Sequence, residues 1–517
     1  MRKSGSPFMP DLALIETVSV AEISRATNST VTGDEDVAVR GAVADNRRVR
    51  GGELFIALPG EHVHGASFAE SAISAGAAAV LTDSQGASIL GDISVPLLVC
   101  ENVTESSGVA SALAWGNPGE KLRLWGVTGT NGKTTVAYLI KAILEGLGFA
   151  TGLIGTIEVA VGSCCSAARN TTPLPDELQA VLASTVQQGV TDVVMEVSSH
   201  GLALGRVSPM RFDMAGFTNL SQDHLDFHHT MEEYFQAKKR LFGHELSAHQ
   251  AVLKDDSWGV RLAEELFGSQ TLTTLSLSGE DADISATFSQ DIAGVHLEFS
   301  GKITGGLDVN LIGDYNAANV ALALTMVSSQ LAAEGDEVRA KQICAELGGS
   351  LQVRVPGRME QLSDSPRVIV DFAHNPEATR KLLETLRPTT RGDLIIVVGS
   401  AGQRDREKRP ILGELVCELA DKVYITDDDP HEEDPAQIRA DMLAGMSSAK
   451  DGQVIEIADR TDAIFAAIKC AKPEDTIVLA GRGHETVQPT ATGNVELDDR
   501  VLAHEALLNR KTRSTDS

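Results

Sequence analysis

Gly126-Val127-Thr128-Gly129-Thr130-Asn131-Gly132-Lys133-Thr134-Thr135 decides how the rest of this chain is read. An apolar run over 122–127 leads into it. A run with Val136, Leu139, Ile140, Ile143, Leu144 and Leu147 at helical spacing leads out. A strand, a glycine turn and a helix are expected in that order. The turn fits the phosphate-loop pattern G-x-x-x-x-G-K-[ST] imperfectly, with five residues between Gly126 and Gly132 and two between Gly129 and Gly132. The physics tolerates that difference. Glycines let backbone N–H groups close on a phosphate, and the helix N-terminus adds partial positive charge. Lys133 can reach the β- and γ-phosphates, and the Thr134 hydroxyl can ligate Mg²⁺. An ordinary Gly-rich turn is the alternative, but Lys-Thr-Thr at the helix start favours a nucleotide.

The 517 residues suffice for three domains, at about 150 residues each. Hydrophobic residues make up 42%, so each domain can hold a packed core. With 72 acidic against 44 basic residues the net charge is −28. That argues against nucleic acid as the main partner, because phosphate backbones need clustered Lys and Arg. The first ten residues lack an apolar segment, so a secretory signal is not expected. No apolar run reaches the roughly 18 residues of a membrane span, so no membrane partner is expected. Six cysteines lie scattered without metal or disulfide spacing. They suit reduced thiols in the cytoplasm.

The fold class expected is α/β in three domains. Residues 1–120 read as a small N-terminal α/β domain. Gly52 to Leu58 reads as a strand, residues 68–78 as an Ala-rich helix, and Val95 to Val99 as a further strand. Asn117-Pro118-Gly119-Glu120 marks its end. Residues 121–355 read as a central P-loop ATPase-like domain with a parallel sheet. There an apolar strand over 190–197 ends near Glu196, where an acid can hold Mg²⁺ beside the phosphate loop. Asp223-His224-Leu225-Asp226-Phe227-His228-His229 packs three histidines and two aspartates into seven residues, which suggests metal or phosphate chemistry. Lys238-Lys239-Arg240 looks like a solvated basic triplet. Residues 250–310 read as uninformative strands and turns. Asn316 and Asn319 share one helical face, where amides can read an adenine edge or cap the helix.

Residues 356–517 read as a Rossmann-like, doubly wound domain. Four apolar strands each end in a polar cluster: Asp371-Phe372-Ala373-His374, the loop 399–406, Asp427-Asp428-Asp429-Pro430-His431 and Gly481-Arg482-Gly483-His484-Glu485. Helical runs separate the strands, so all four clusters should fall on one sheet edge, where such folds bind ligands.

Taken together, these motifs resemble the Mur ligases, ATP-dependent amide-forming enzymes of bacterial cell-wall synthesis. The carrying motifs are Gly-Thr-Asn-Gly-Lys-Thr-Thr at 129–135, Asn-Thr-Thr-Pro at 170–173 and Met-Glu-Val-Ser-Ser-His-Gly at 195–201. Asn-Leu-Ser-Gln-Asp-His-Leu-Asp at 219–226, Asp-Tyr-Asn-Ala-Ala-Asn at 314–319, Asp-Phe-Ala-His-Asn-Pro at 371–376 and Gly-Arg-Gly-His-Glu at 481–485 continue the series. The order fits the family member that adds the third residue of the peptide stem.

The resemblance implies roles residue by residue. Gly129, Thr130, Asn131, Gly132, Lys133, Thr134 and Thr135 would hold ATP. Thr134, Glu196, His224 and Lys238 as a carbamate would surround Mg²⁺, with Lys133, Glu196, His224 and Lys238 as the catalytic set. Asn316, Asn319 and Arg358 would contact adenine and ribose, with Asp371 and His374 nearby. Asn170, Thr171, Thr172, Ser198 and Arg206 would hold UDP-MurNAc-L-Ala-D-Glu, and Asn46 with residues 61–63 its uridine end. Arg404, Asp428, Asp429, His431, Gly481 and Glu485 would form the pocket of the incoming diamino acid. A cytoplasmic monomer is implied.

Departures from the family pattern accompany this. Asn46 stands where Ser is usual, His64 where Asp is common, Leu204 for a frequent Gln, and Gln403 for Asp. Members that add meso-diaminopimelate typically read Asp-Asn-Pro-Arg where this chain has Asp428-Asp429-Pro430-His431. An Arg fork suits a second carboxylate. An acidic pocket without it favours L-lysine or L-ornithine, unless another cation such as Arg439 substitutes. The alternatives that remain are another ligase of this fold, including a folylpolyglutamate-type enzyme, and a small-molecule kinase.

Overall fold

The computed structural model describes residues 8–514 except 61, 163, 270, 280, 404 and 405, and not the side chains at 226 and 511–514. Two compact units result. The first holds the chain up to Phe288 with Leu297–Asp308 and Ala318–Leu351, and the second holds Ser289–His296, Val309–Ala317 and Gln352 onward.

Among its described residues the first unit pairs Val18–Ser19 with Ala38–Val39 and holds two larger sheets. The smaller has five strands in the order Thr30–Thr32, Leu97–Val99, Ala79–Thr82, Leu54–Ile56, Ala42–Val43. All its pairings are parallel except the edge strand Thr30–Thr32. Apolar side chains such as Leu54, Ile56, Leu81 and Leu98 are buried beneath it. The expected helix over 68–78 is shorter, running Ala69–Ser74 after a 3₁₀ turn Gly65–Phe68.

In the larger sheet the strand Arg123–Thr128 lies between Asp192–Glu196 and Phe212–Phe217, parallel to both. Thr151–Ile154 flanks Asp192–Glu196 on its far side, and Ser247–Leu253 flanks Phe212–Phe217. Three registers matter for the site: Glu196 sits opposite Val127, Phe217 opposite Thr128, and Met195 opposite Ile154. The residues after Thr128, Ile154, Glu196 and Phe217 therefore emerge along one edge. Gly126 is required inside this sheet, since a Cβ there would lie 2.9 Å from the Phe212 ring. Leu124, Met195, Phe212 and Phe217 fill one core beneath the strands. The stretch over 250–310 is more regular than expected, with a helix Ser257–Glu265 capped by the Asp256 carboxylate.

The second unit is built on six strands in the order Glu360–Asp364, Arg367–Asp371, Thr476–Ala480, Leu394–Val398, Lys422–Ile425, Val454–Glu456. The last five are mutually parallel, with helices such as Pro376–Leu386 and Lys408–Leu419 between them. Buried apolar clusters cover both faces, one with Ile396 and Leu412, the other with Ile395 and Ile464. The four polar clusters accordingly follow four adjacent parallel strands on one edge. Among the described residues, no helix is long and apolar enough to cross a membrane.

Candidate active site

The turn after Arg123–Thr128 is shaped by glycine. Gly129 and Gly132 have φ of +147° and +87°, conformations that residues with a Cβ rarely adopt. A Cβ would also strike Thr218 Oγ1 at Gly129 and the Asn319 side-chain amide at Gly132. The helix Lys133–Gly146 begins at once. Lys133 Nζ folds back and donates to the carbonyls of Gly129 at 2.9 Å and Thr130 at 2.8 Å. The loop is stitched to the segment after Phe217. Thr130 N donates to Asn219 O at 2.9 Å, and Asn131 N to Asn219 Oδ1 at 3.1 Å. Thr218 Oγ1 donates to Asn131 O at 2.6 Å, and Ser221 N to Thr130 Oγ1 at 3.0 Å.

Glu196 lies beside this loop and is 1% exposed. Its carboxylate accepts from Thr134 Oγ1 at 2.9 Å, Thr156 N at 2.8 Å and Thr156 Oγ1 at 3.0 Å. The network continues outward. Thr156 Oγ1 lies 3.0 Å from Thr171 Oγ1. Thr172 Oγ1 donates to the Glu196 carbonyl at 3.0 Å and contacts Ser198 Oγ at 3.1 Å, while Arg206 donates to Thr172 O at 3.0 Å. The structure thus brings Thr134, Glu196, Thr171, Thr172, Ser198 and Arg206 into one hydrogen-bonded chain. Asn170 is exposed beside it.

Lys238 is not the solvated residue its triplet suggests. It is 1% exposed, donates to Gly129 O at 2.7 Å, and sits 4.4 Å from the centre of the Tyr234 ring. Burial, reinforced by Lys133, holds its ammonium well below the usual lysine range. His224 approaches the same place, its ring 6.2 Å from Tyr234 and 5.0 Å from His200. Burial lowers its imidazole pKa. Asp223 opposes that shift, and His200, Lys133 and Lys238 add to it. Tyr234 carries no family role in the reading above, yet it supports Lys238 and lies 3.3 Å from Thr130 Oγ1.

Asn319 belongs to the first unit, and Asn316, Arg358, Asp371 and His374 to the second. Within the second unit, Arg358 lies 4.2 Å over the Phe372 ring. Asp371 accepts from Met359 N at 2.7 Å and Ala373 N at 2.9 Å, and burial raises its carboxyl pKa against the pull of Arg358. His374 Nδ1 lies 3.0 Å from Phe372 O. Asn316 Nδ2 donates to Ile312 O at 2.8 Å.

Of the residues expected to meet the diamino acid, Asp428, Asp429, Gly481 and Glu485 gather at the strand ends of the second unit. Asp428, Asp429 and Glu485 place carboxylate oxygens within 4.8 Å of one another. Fully buried Arg482 contacts Asp429 and lies 3.7 Å from Asp428. Gly481 has φ +110°, and a side chain there would run into the Asp428 carboxylate. Burial pushes Asp429 up to about 6 and Glu485 up to about 8, with repulsion from the neighbouring carboxylates adding to both. His431 adopts φ +52° and donates its N–H to Pro489 O. Arg439 is engaged by Asp427 and by Glu456. Arg404 and position 61 lie outside the described residues. Asn46 stands apart and donates to Ser71 Oγ at 3.1 Å. His64, where the family commonly has Asp, caps the 3₁₀ turn Gly65–Phe68, its Nδ1 accepting from Ala66 N at 3.1 Å.

Sequence reasoning missed Thr156 and Arg482. Thr156 lies 40 residues before Glu196 and meets it only because their strands pair. For Arg482 a signal existed: a cation between two glycines, directly after an apolar strand.

Models of the Mur ligase family match three stretches: the Mur ligase family catalytic domain at 39–112, the Mur ligase middle domain at 127–327, and the Mur ligase glutamate ligase domain at 357–483. A UDP-N-acetylmuramoyl-L-alanyl-D-glutamate–2,6-diaminopimelate ligase of Corynebacterium efficiens is 41% identical, covering 96% of this chain and 95% of its own. The enzyme of the same name from Streptomyces avermitilis is 39% identical, over 97% of this chain and 98% of its own. A solved structure of a ligase of that name superposes with a TM-score of 0.65 at 30% identity, covering 96% of this chain and all of that one. Identity of this order along nearly the whole length leaves one conclusion: the chain belongs to the Mur ligase family.

Proposed function

We propose that this chain adds a diamino acid to the D-glutamyl carboxylate of UDP-MurNAc-L-Ala-D-Glu, driven by ATP, as a step in building the peptidoglycan precursor. The observation that carries this is the hydrogen-bonded chain from Thr134 through Glu196 and Thr156 to Thr171, Thr172 and Ser198. It joins a phosphate loop to a second polar loop, as transfer of a phosphoryl group onto a bound acceptor requires.

The acceptor carboxylate attacks the γ-phosphorus, the bond to the β-bridging oxygen breaks, and ADP leaves an acyl phosphate. The amine then attacks the acyl carbon. Phosphate departs with the C–O electron pair, and the nitrogen gives its extra proton to solvent. Lys133 and the loop N–H groups spread the transferring charge. Hard oxygen donors suit Mg²⁺. The Thr134 hydroxyl and Glu196 carboxylate, 2.9 Å apart, fit it, and with His224 they would hold it. The cation, when bound, neutralises charge on the phosphates.

Lys238 is proposed to carry a carbamate. CO₂ adds only to a neutral amine, and Lys238 is held toward that form by burial and by Lys133. The product would offer an anionic oxygen in place of a cation. ATP is proposed to rest on 129–135 with Asn319. The 1–120 region would receive the uridine end, 121–355 the nucleotide, and 356–517 the amino acid. A cytoplasmic monomer completes the proposal.

For the amine, 2,6-diaminopimelate in its meso form takes precedence over L-lysine and L-ornithine. The names of the relatives favour it. The acidity of Asp428 and Asp429, which pointed to lysine, is met internally by Arg482. L-lysine or L-ornithine stays the second reading because His431 lacks an Arg fork. Phosphate release with ATP, Mg²⁺ and UDP-MurNAc-L-Ala-D-Glu, comparing the three amines and weighing the product, tests this. Turnover that needs no amine would sink the ligase reading.

A further inference from the structure

Thr156 has no role in the family assignment above, yet its own atoms donate two of the three hydrogen bonds that the Glu196 carboxylate accepts among the described residues. Its N–H donates to Oε1 at 2.8 Å and its hydroxyl to Oε2 at 3.0 Å. The proton order is fixed by chemistry. A carboxylate only accepts, so the single Thr156 hydroxyl proton goes to Glu196. The 3.0 Å contact with Thr171 must then run the other way, with Thr171 donating to Thr156 Oγ1. The sequence arranges this through a parallel pair: Ile154 lies opposite Met195, so the residues after each strand emerge side by side. Gly155 keeps the approach open, because a Cβ there would lie 2.5 Å from Glu196 Oε1.

We propose that Thr156 is a positioning residue that fixes the Glu196 carboxylate for its cation and ties it to the loop that receives the acceptor. This rests on the proposed role of Glu196 in holding Mg²⁺. Oε2 accepts from both Thr134 and Thr156. When Thr134 turns its oxygen toward a cation, the Thr156 bonds keep the carboxylate plane from swinging. Thr171 sits one hydroxyl away, so a group bound at the 170–172 loop and a cation at Glu196 share one short chain of donors. Partners that orient a metal ligand in this way typically contribute about 10- to 100-fold in metal affinity.

The test is Mn²⁺ binding to the full-length protein with a non-hydrolysable ATP analogue, followed by electron paramagnetic resonance. Thr156→Val keeps the side-chain shape and the backbone N–H but deletes the hydroxyl, and Thr156→Ser keeps the hydroxyl. Thr156→Val should weaken Mn²⁺ by about tenfold and Thr156→Ser by no more than about twofold, with the same urea midpoint for all three proteins. In turnover, Thr156→Val should lower kcat more than it raises KM for UDP-MurNAc-L-Ala-D-Glu. Unchanged Mn²⁺ affinity in Thr156→Val overturns the proposal, as does an equal loss in Thr156→Ser. A wild type that binds Mn²⁺ but never turns over the dipeptide overturns the substrate reading alone. In that case the Val and Ser comparison still decides Thr156.

Discussion

Lys238 Nζ donates to the carbonyl oxygen of Gly129 at 2.7 Å, so a buried amine is hydrogen-bonded to the loop expected to cradle phosphates. Replacing it removes both that contact and the proposed carbamate. Lys238→Ala should lose nearly all ligase activity, and added short carboxylates should restore part of it. Phosphate release with and without acetate or propionate measures this. Full activity in the variant without additive would remove Lys238 from the mechanism.

Gly132 holds φ +87° with Asn319 against the place of its missing Cβ. A side chain there is strained in the backbone and collides as well. Gly132→Ala should weaken ATP binding by about 5- to 150-fold, since backbone strain of this kind costs roughly 1–3 kcal/mol. Calorimetric titration with an ATP analogue reads it, and unchanged affinity would contradict the loop geometry.

Arg482 is the counter-ion of a buried acidic group. Removing one partner of such a set leaves uncompensated charge in a low-dielectric site. Arg482→Met should destabilise the protein by about 3–5 kcal/mol. Urea unfolding followed by circular dichroism measures that loss. A variant as stable as wild type would mean that the carboxylates are neutral without Arg482.

Glu485 has a pH signature. In the folded chain its carboxyl is pushed up to about 8 from an ordinary 4.5 by burial and by Asp429 and Asp428. The folded state therefore holds a proton that the unfolded state has released between those limits. Stability from this group is complete below about 4.5 and is lost as pH rises through about 8. Glu485→Gln removes the dependence. Between pH 5.5 and pH 8.5 wild type should lose more unfolding free energy than the variant, and parallel profiles would refute the shift.

Much of this was legible in the sequence because it is local. The phosphate loop, the helix after it and the four strand-end clusters each lie within a few residues, and apolar runs betray the strands that carry them. The single edge shared by Asp371, Asp428 and Gly481 followed from βα alternation alone. Lys238 was different: nothing in Lys238-Lys239-Arg240 distinguishes a buried lysine from its exposed neighbours, and only the family resemblance singled it out. Thr156 was illegible because strand pairing, not proximity in sequence, brings it to Glu196. The acidity of Asp428 and Asp429 was visible, but its neutralisation by Arg482, more than 50 residues on, was not. The helix Ser257–Glu265 was readable in principle from its Asp256 cap.

The hydrogen bonds between 130–131 and 218–221 have a thermodynamic consequence. A glycine-rich loop free in solution would have to be ordered each time a nucleotide arrived. Here that ordering is completed once, when the chain folds. Nucleotide affinity then depends little on loop entropy, and successive turnovers meet the same rigid cradle.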